Sequence, residues 1–348
     1  MDVRDQAGID RVMIDLDGTP DKGRLGANAI LAVSCAIARA ASVVRGKQLW
    51  QSLPHATDPC IPLPMINIIS GGAHAGRRLE VQDFLIVPHG FATCAQALEC
   101  AVRIHRATYD ALTRRGCLLT GAADEGGWGP ALDSNEQALE ILMDATERAG
   151  FRPGEQVSIA IDVAASQFCR AGAYELTSED RTLSTEQMIE LLEGWANRFP
   201  IVSIEDPLDQ HDAPGWVRIT ARLGARLRII GDDFFTTNPA RVRAGIEQHS
   251  ANAVLVKMNQ IGTLTETFEV IALARDAGWR AVISARSGET EDSFLADLAV
   301  ASGAGHIKIG SVTRSERLAK YNRLLEIERD AMLPFMPAEP PAGGYRPR

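Results

Sequence analysis

The chain lacks the marks of several protein classes. Its 348 residues carry a net charge of −9, so there is no basic surplus to draw in nucleic acid or an anionic membrane. Met1-Asp2-Val3-Arg4-Asp5 offers neither a basic n-region nor an apolar h-region, and no secretory signal is visible. The longest apolar stretch, Ala27 to Ala38, is short, rich in alanine and ended by Arg39, so it reads as a helix rather than a membrane span. Cys35, Cys60, Cys94, Cys100, Cys117 and Cys169 form no CxxC pair and have no His partner at zinc spacing. They read as reduced, structural thiols of a cytoplasmic protein. No repeat shorter than a βα unit is visible.

What is there is a rhythm. Six apolar stretches run into a charged residue and then a loop: Val157–Asp162, Ile201–Glu205, Leu227–Asp232, Ala253–Lys257, Ala281–Arg286 and His306–Lys308. Helix-length amphipathic segments separate them, as in buried parallel strands of βα units. Strand C-termini face the active site in such folds. Three carboxylates, two lysines and an arginine therefore meet at one mouth. Earlier, Met65–Ile69 and Phe84–Val87 read as strands, and two helices, from about Ala95 to Arg115 and Ser134 to Ala149, precede the regular units. The span 56–330 suits one eight-fold α/β barrel of the usual size, roughly 250 residues, with an irregular start. Residues 1–55 hold a turn cluster at Asp17–Asp21 and an alanine-rich helix from Leu25 to Val44, and read as the remnant of a larger N-terminal unit. The Pro/Gly-rich tail, 331–348, is expected to be disordered.

Asp162, Glu205 and Asp232 close consecutive strands. As hard oxygen ligands they suit Mg²⁺, and otherwise each is a solvated strand terminus. Lys257 either snorkels at the rim or sits among cations, with a lowered pKa, as a general base. Glu125, on the loop Asp124-Glu125-Gly126-Gly127, is a surface acid or, opposite a lysine base, a general acid. His74, after Gly71-Gly72, and Asp83, after Gln82, lie in the same mouth with structural or substrate-binding roles. Arg286-Ser287 and Lys308 are placed to hold phosphate and carboxylate, which local cations must do against the overall negative field.

At these residues the chain resembles the enolase (phosphopyruvate hydratase) family. The resemblance runs through nearly the whole chain, on Asp17-Gly18-Thr19, Leu25–Leu31, Asp124–Gly127, Ser203–Asp206, Gly231-Asp232-Asp233, Lys257–Leu264, Arg286–Asp292 and Arg314–Arg317. It implies an enolase-type (β/α)8 barrel with a truncated N-terminal α+β cap, acting as a carbon-oxygen lyase. It implies Mg²⁺ on Asp162, Glu205 and Asp232, Lys257 as the base at C2 of 2-phosphoglycerate and Glu125 as the acid that expels the C3 hydroxyl. Lys308 would pair with the substrate carboxylate, with His74, Gln82, Asp83, Arg286 and Ser287 around the substrate. A homodimer is implied too, with a small anionic phosphorylated or phosphonylated glycerate as partner.

Three departures qualify that picture. The chain starts inside the family's pattern, without the mobile loop that helps hold a second Mg²⁺. Ala285 stands where the family has His, beside the phosphate, and Asp83 where it has Glu. Three functions stay open: glycolytic dehydration of 2-phosphoglycerate to phosphoenolpyruvate; dehydration of an analogue with a larger phosphorus substituent, as by carboxyphosphonoenolpyruvate synthase-like enzymes of phosphonate biosynthesis; or an inactive, protein-binding paralogue.

Overall fold

The computed structural model describes residues 1–54, 59–119 and 121–336. Eight strands close a barrel: β1 (Leu63–Ser70), β2 (Asp83–Val87), β3 (Ser158–Asp162), β4 (Ile201–Glu205), β5 (Arg228–Gly231), β6 (Ala253–Val256), β7 (Arg280–Ser284) and β8 (His306–Lys308). Their order around the ring is β1-β8-β7-β6-β5-β4-β3-β2. From β3 to β8, and between β8 and β1, neighbours are parallel. β2 alone is antiparallel to both its neighbours. No crossover helix joins β1 to β2, so the chain turns straight back. The two expected helices, Cys94–Arg114 and Asn135–Arg148, then lead to β3. This is the irregular start, and its effect is to bring the first residue of β2, Asp83, to the mouth.

Alternation sorts each strand's residues between two cores. Leu63, Met65, Leu85, Val87, Ala160, Ile230, Ala253, Leu255 and Val282 form a cluster of their own inside the ring. Ile66, Phe84, Ile161, Ile204, Ile229, Val254, Ile283 and Ile307 join the larger core outside it, under the helices. Both faces are buried, and so the strands read as unbroken apolar runs. Helix starts are marked by side chains that accept a backbone N–H: Ser134, Ser184, Asp212, Asn238 and Thr263.

Regular structure in residues 1–54 is helical: Gln6–Asp17, Ala27–Arg45 and the short Leu49–Ser52. The first was not anticipated; half of its residues are apolar, yet Ile9 is the one of them that is buried, alongside Asp10 and Asp17. Asp10 accepts from the Thr265 amide and hydroxyl at 3.0 and 2.6 Å, and Lys22 pairs with Glu266 at 2.9 Å, so the cap is pinned to a barrel helix. Among the described residues, Ala27–Arg45 is long and apolar enough to cross a membrane by length and composition. Its Ile30, Ser34, Cys35, Ala38, Ala41 and Ser42 are buried in the protein.

Part of the expected tail departs from expectation. Ile61 and Phe335 form a parallel bridge, and the Met336 N–H donates to the Ile61 carbonyl at 2.9 Å, so 333–336 pack along the barrel. The remainder of that expectation lies outside the described residues.

Candidate active site

Inward-pointing positions along β5 read Arg228, Ile230, Asp232: the alternation that places Ile230 inside the barrel carries Asp232 to its mouth. The same step places Asp162 after Ala160 and Lys257 after Leu255. Asp162 and Glu205 face each other in register across β3 and β4. Lys308 Nζ joins them, 2.6 Å from Asp162 Oδ2 and 2.8 Å from both Glu205 oxygens. Lys257 Nζ binds Asp232 Oδ2, while Gln260 donates to Asp232 Oδ1 at 2.8 Å. Gln82 Nε2 reaches Asp162 at 3.0 Å.

Electrostatics here are those of a shortage of positive charge. Asp83, Glu125, Asp162, Glu205, Asp206 and Asp232 are all buried, and the cations set among them are Lys257 and Lys308, with Arg317 beneath the loops. Burial, then the neighbouring Asp162, pushes Glu205 well above the usual carboxylate range. Burial and Glu125 do the same to Asp83, and burial and Asp232 to Asp206. For Asp232, burial works upward, but Lys257, together with Lys308 and Gln260, holds the carboxyl below its ordinary value. Burial would lower both lysines; Asp162 and Glu205 instead raise Lys308 well above its ordinary value, and Asp232 raises Lys257. Beside Asp232 the Lys257 pKa is thus raised, and the lowered value considered from the sequence belongs to a lysine set among cations. The sequence shows that cations and acids are near, and not that Asp232 points straight at the ammonium.

Across the ring, β6 stands four strands from β2. Lys257 thus faces the Asp83 side of the mouth, where Glu125, only 8 % exposed, lies. Ser287 Oγ is 3.5 Å from Glu125 Oε1 and 3.2 Å from His74 Nε2, and His74 Nδ1 is 3.6 Å from Asp124. Asp83 accepts from Asn67 and, at 3.1 Å, from Ser70, with its other oxygen unpartnered among the described residues. The Glu125 loop needs its glycines: Gly126 has φ +91°, and a Cβ on Gly127 would come within 2.6 Å of Asn67 Oδ1. Arg286 is exposed at the rim, and Ala285 is buried at the end of β7. Every predicted site residue thus lies at this one end of the barrel.

Sequence reasoning missed the residues that hold these groups in place. Arg317, 1 % exposed, donates to the carbonyls of Arg286 at 2.7 Å, Ser287 at 2.5 Å and Asp124 at 3.4 Å, tying two mouth loops together. Its signal was the Arg314–Arg317 motif, whose last residue had no assigned task. Asp206 sits at φ +41° and accepts the Asp232 and Asp233 amides at 2.8 and 2.9 Å. Oxygens of Asp206, Asp232 and Asp233 lie within 4.8 Å of one another and could take a cation. Because both Asp206 oxygens already accept backbone N–H groups, it serves first to position Asp232.

The family model for the enolase C-terminal TIM barrel domain matches residues 58–333, and that for the enolase N-terminal domain matches residues 1–53. The chain belongs to the enolase family. It is a hydro-lyase of the enolase, or phosphopyruvate hydratase, type.

Proposed function

We propose that this protein dehydrates 2-phosphoglycerate, or a close relative of it, with the help of Mg²⁺ held by Asp162, Glu205 and Asp232. The excess of buried carboxylates over cations carries this reading. Hard oxygen donors on three adjacent strand ends, short of positive charge, match the preference of a small divalent cation. Such an ion supplies charge stabilisation for the dianion that forms when a proton leaves the carbon beside a carboxylate. Lys257 is the base: with Asp232 engaged by a cation, the ammonium would lack the partner that retains its proton. Glu125, on the far side of the ring, protonates the departing hydroxyl, so proton and hydroxyl leave from opposite faces. Arg286 and Ser287 receive the phosphate, Lys308 the carboxylate, and His74, Gln82 and Asp83 shape the rest.

Six free cysteines fit a reducing compartment, and the proposal places the enzyme in the cytoplasm, with glycolysis as its setting. Ala285 favours a second reading. A methyl group buried beside Ser287 leaves room for a substrate with a larger group on phosphorus, as in phosphonate biosynthesis.

Calorimetry with Mg²⁺ and exchange of the substrate C2 proton in deuterated water test the proposal together. Asp232→Ala should lose the tight Mg²⁺ site. Lys257→Ala should lose exchange by about 10²- to 10⁴-fold, while Glu125→Gln should retain exchange and stop dehydration. Dehydration surviving in both variants would overturn the assignment.

A further inference from the structure

Glu125 is placed by its backbone. Its carboxylate has only a long contact, 3.5 Å, with Ser287 Oγ, so the seat of the carboxyl depends on how the loop Asp124–Gly127 is fastened. Three successive carbonyls of that loop accept hydrogen bonds. Asp124 accepts from Arg317 at 3.4 Å, Glu125 from the Ser311 amide at 2.8 Å and Gly126 from Thr313 Oγ1 at 2.8 Å. These three donors all follow β8 in the chain.

The Gly126 carbonyl has a further donor, from the element that precedes the loop. His105, on the helix Cys94–Arg114, sets its Nε2 3.1 Å from that oxygen. A carbonyl oxygen can only accept, so Nε2 carries the proton. His105 is 6 % exposed, and burial holds its pKa below the ordinary value, so near pH 7 the ring is neutral. The ring is itself held. It stacks on Trp128, with centroids 4.5 Å apart and 30° between the planes, and the Trp128 indole N–H donates to the His105 carbonyl at 2.9 Å. Trp128 is in turn fixed to β1: its amide donates to the Ile68 carbonyl, and its carbonyl accepts the Ser70 amide, both at 2.8 Å. Helix, ring, loop and strand thus close a circuit one residue from Glu125.

We propose that His105 is a positioning residue for the general acid. Its Nε2–H holds the Gly126 carbonyl, and so the Glu125 loop, where the carboxyl can reach the departing hydroxyl. The inference rests on the reading of Glu125 as the acid. His105 acts through the loop and not on the substrate. A misplacement of about 1 Å can cost about 10²-fold in rate. Lys257 is anchored elsewhere, by Asp232 and by Thr237 Oγ1, which accepts its amide at 2.9 Å. Loss of the His105 donor therefore slows dehydration and spares proton removal at C2.

His105→Phe keeps a ring against Trp128 and removes the donor, while His105→Gln keeps an N–H at similar reach. With 2-phosphoglycerate and Mg²⁺, His105→Phe should dehydrate about 10- to 100-fold more slowly. Its exchange of the C2 proton in deuterated water should stay close to the wild-type rate, and His105→Gln should recover most of the dehydration. Equal slowing of both steps, slowing of neither, or no recovery by glutamine overturns the proposal. Glu125→Gln in the same assay tests the reading beneath it. If that variant fails to separate the two steps, the acid assignment falls and takes the proposal with it. If it separates them and His105→Phe does not, the role of His105 alone falls. Should His105→Phe not fold, ¹⁵N NMR of the histidine-labelled wild-type chain decides. The ring signals that vanish in His105→Gln should show a protonated Nε2 at neutral pH, and an unprotonated Nε2 there overturns the bond.

Discussion

The two ends of this barrel are made by the same strands and differ in almost every physical respect. At the mouth, carboxylates and lysines are packed together under cover, each depending on a partner for its charge. At the other end, Arg226, Arg228 and Arg280 stand around an apolar cavity, with stems and partners of their own. Along β5 the change from one regime to the other takes four residues, from Arg228 through Ile230 to Asp232. Chemistry needs the costly end: charges held in low dielectric interact strongly with a substrate and do not have to reorganise around it. An apolar middle layer keeps the two ends apart.

Lys308→Met should break this contrast most sharply. It leaves Asp162 and Glu205 buried without their cation, and the metal-free protein should lose about 3 to 5 kcal/mol in urea denaturation. Arg226→Met, at the opposite end, should stay within about 1 kcal/mol. Equal losses would mean that the ends are energetically alike. Ile230→Ala strikes the layer between them and should cost about 2 to 5 kcal/mol, read from the same denaturation curves. A loss well below that range would show that the inner cluster contributes little.

Ala285→His should raise activity on 2-phosphoglycerate about 10- to 100-fold, the worth of one charge-assisted hydrogen bond. It should lower activity on an analogue with a carboxylate on phosphorus. Steady-state rates on both substrates check this, and a gain on the first without a loss on the second counts against the second reading. The smallest expected effect lies at the far end of the barrel. Burial depresses the His89 pKa below 6.5, so the unfolded chain takes up a proton there more readily than the fold. Its contribution is complete above pH 6.5 and is lost as pH falls through the lower, folded value. Stability measured from pH 7.5 to 5 should fall less steeply in His89→Asn, by about 1 kcal/mol or less across the range.

Much of the mouth was legible because inward alternation and strand direction coincide: a charged residue that ends a buried apolar run must point to the C-terminal face. Asp162, Glu205, Asp232, Lys257 and Lys308 were found on that logic. Asp83 and Gln82 break it, since β2 runs in reverse and its first residues face the substrate side. Asp83 was placed there only as a loop or strand-end residue, and the part given to Gln82 came from the family resemblance. Arg317, Asp206 and Gln260 were illegible for another reason. They act by bonding to backbone carbonyls, amides or other side chains far along the chain, which no local pattern records. That Lys257 touches Asp232 was illegible for the same cause, because proximity in sequence space does not say which acid an ammonium meets.

Arg317 has a consequence for the order in which this enzyme comes into being. Its partners are carbonyls at 124, 286 and 287, while it belongs to the last helix, Ser315–Ala331. During synthesis the Glu125 loop emerges almost two hundred residues before the side chain that secures it. Ring closure waits as well, since β1 pairs with β8 near the end of the chain. A ribosome-bound fragment can therefore contain both Lys257 and Glu125 before the loop that carries Glu125 is secured. Until the helix Ser315–Ala331 docks, the loops at 124 and at 286–287 lack the side chain that ties them together.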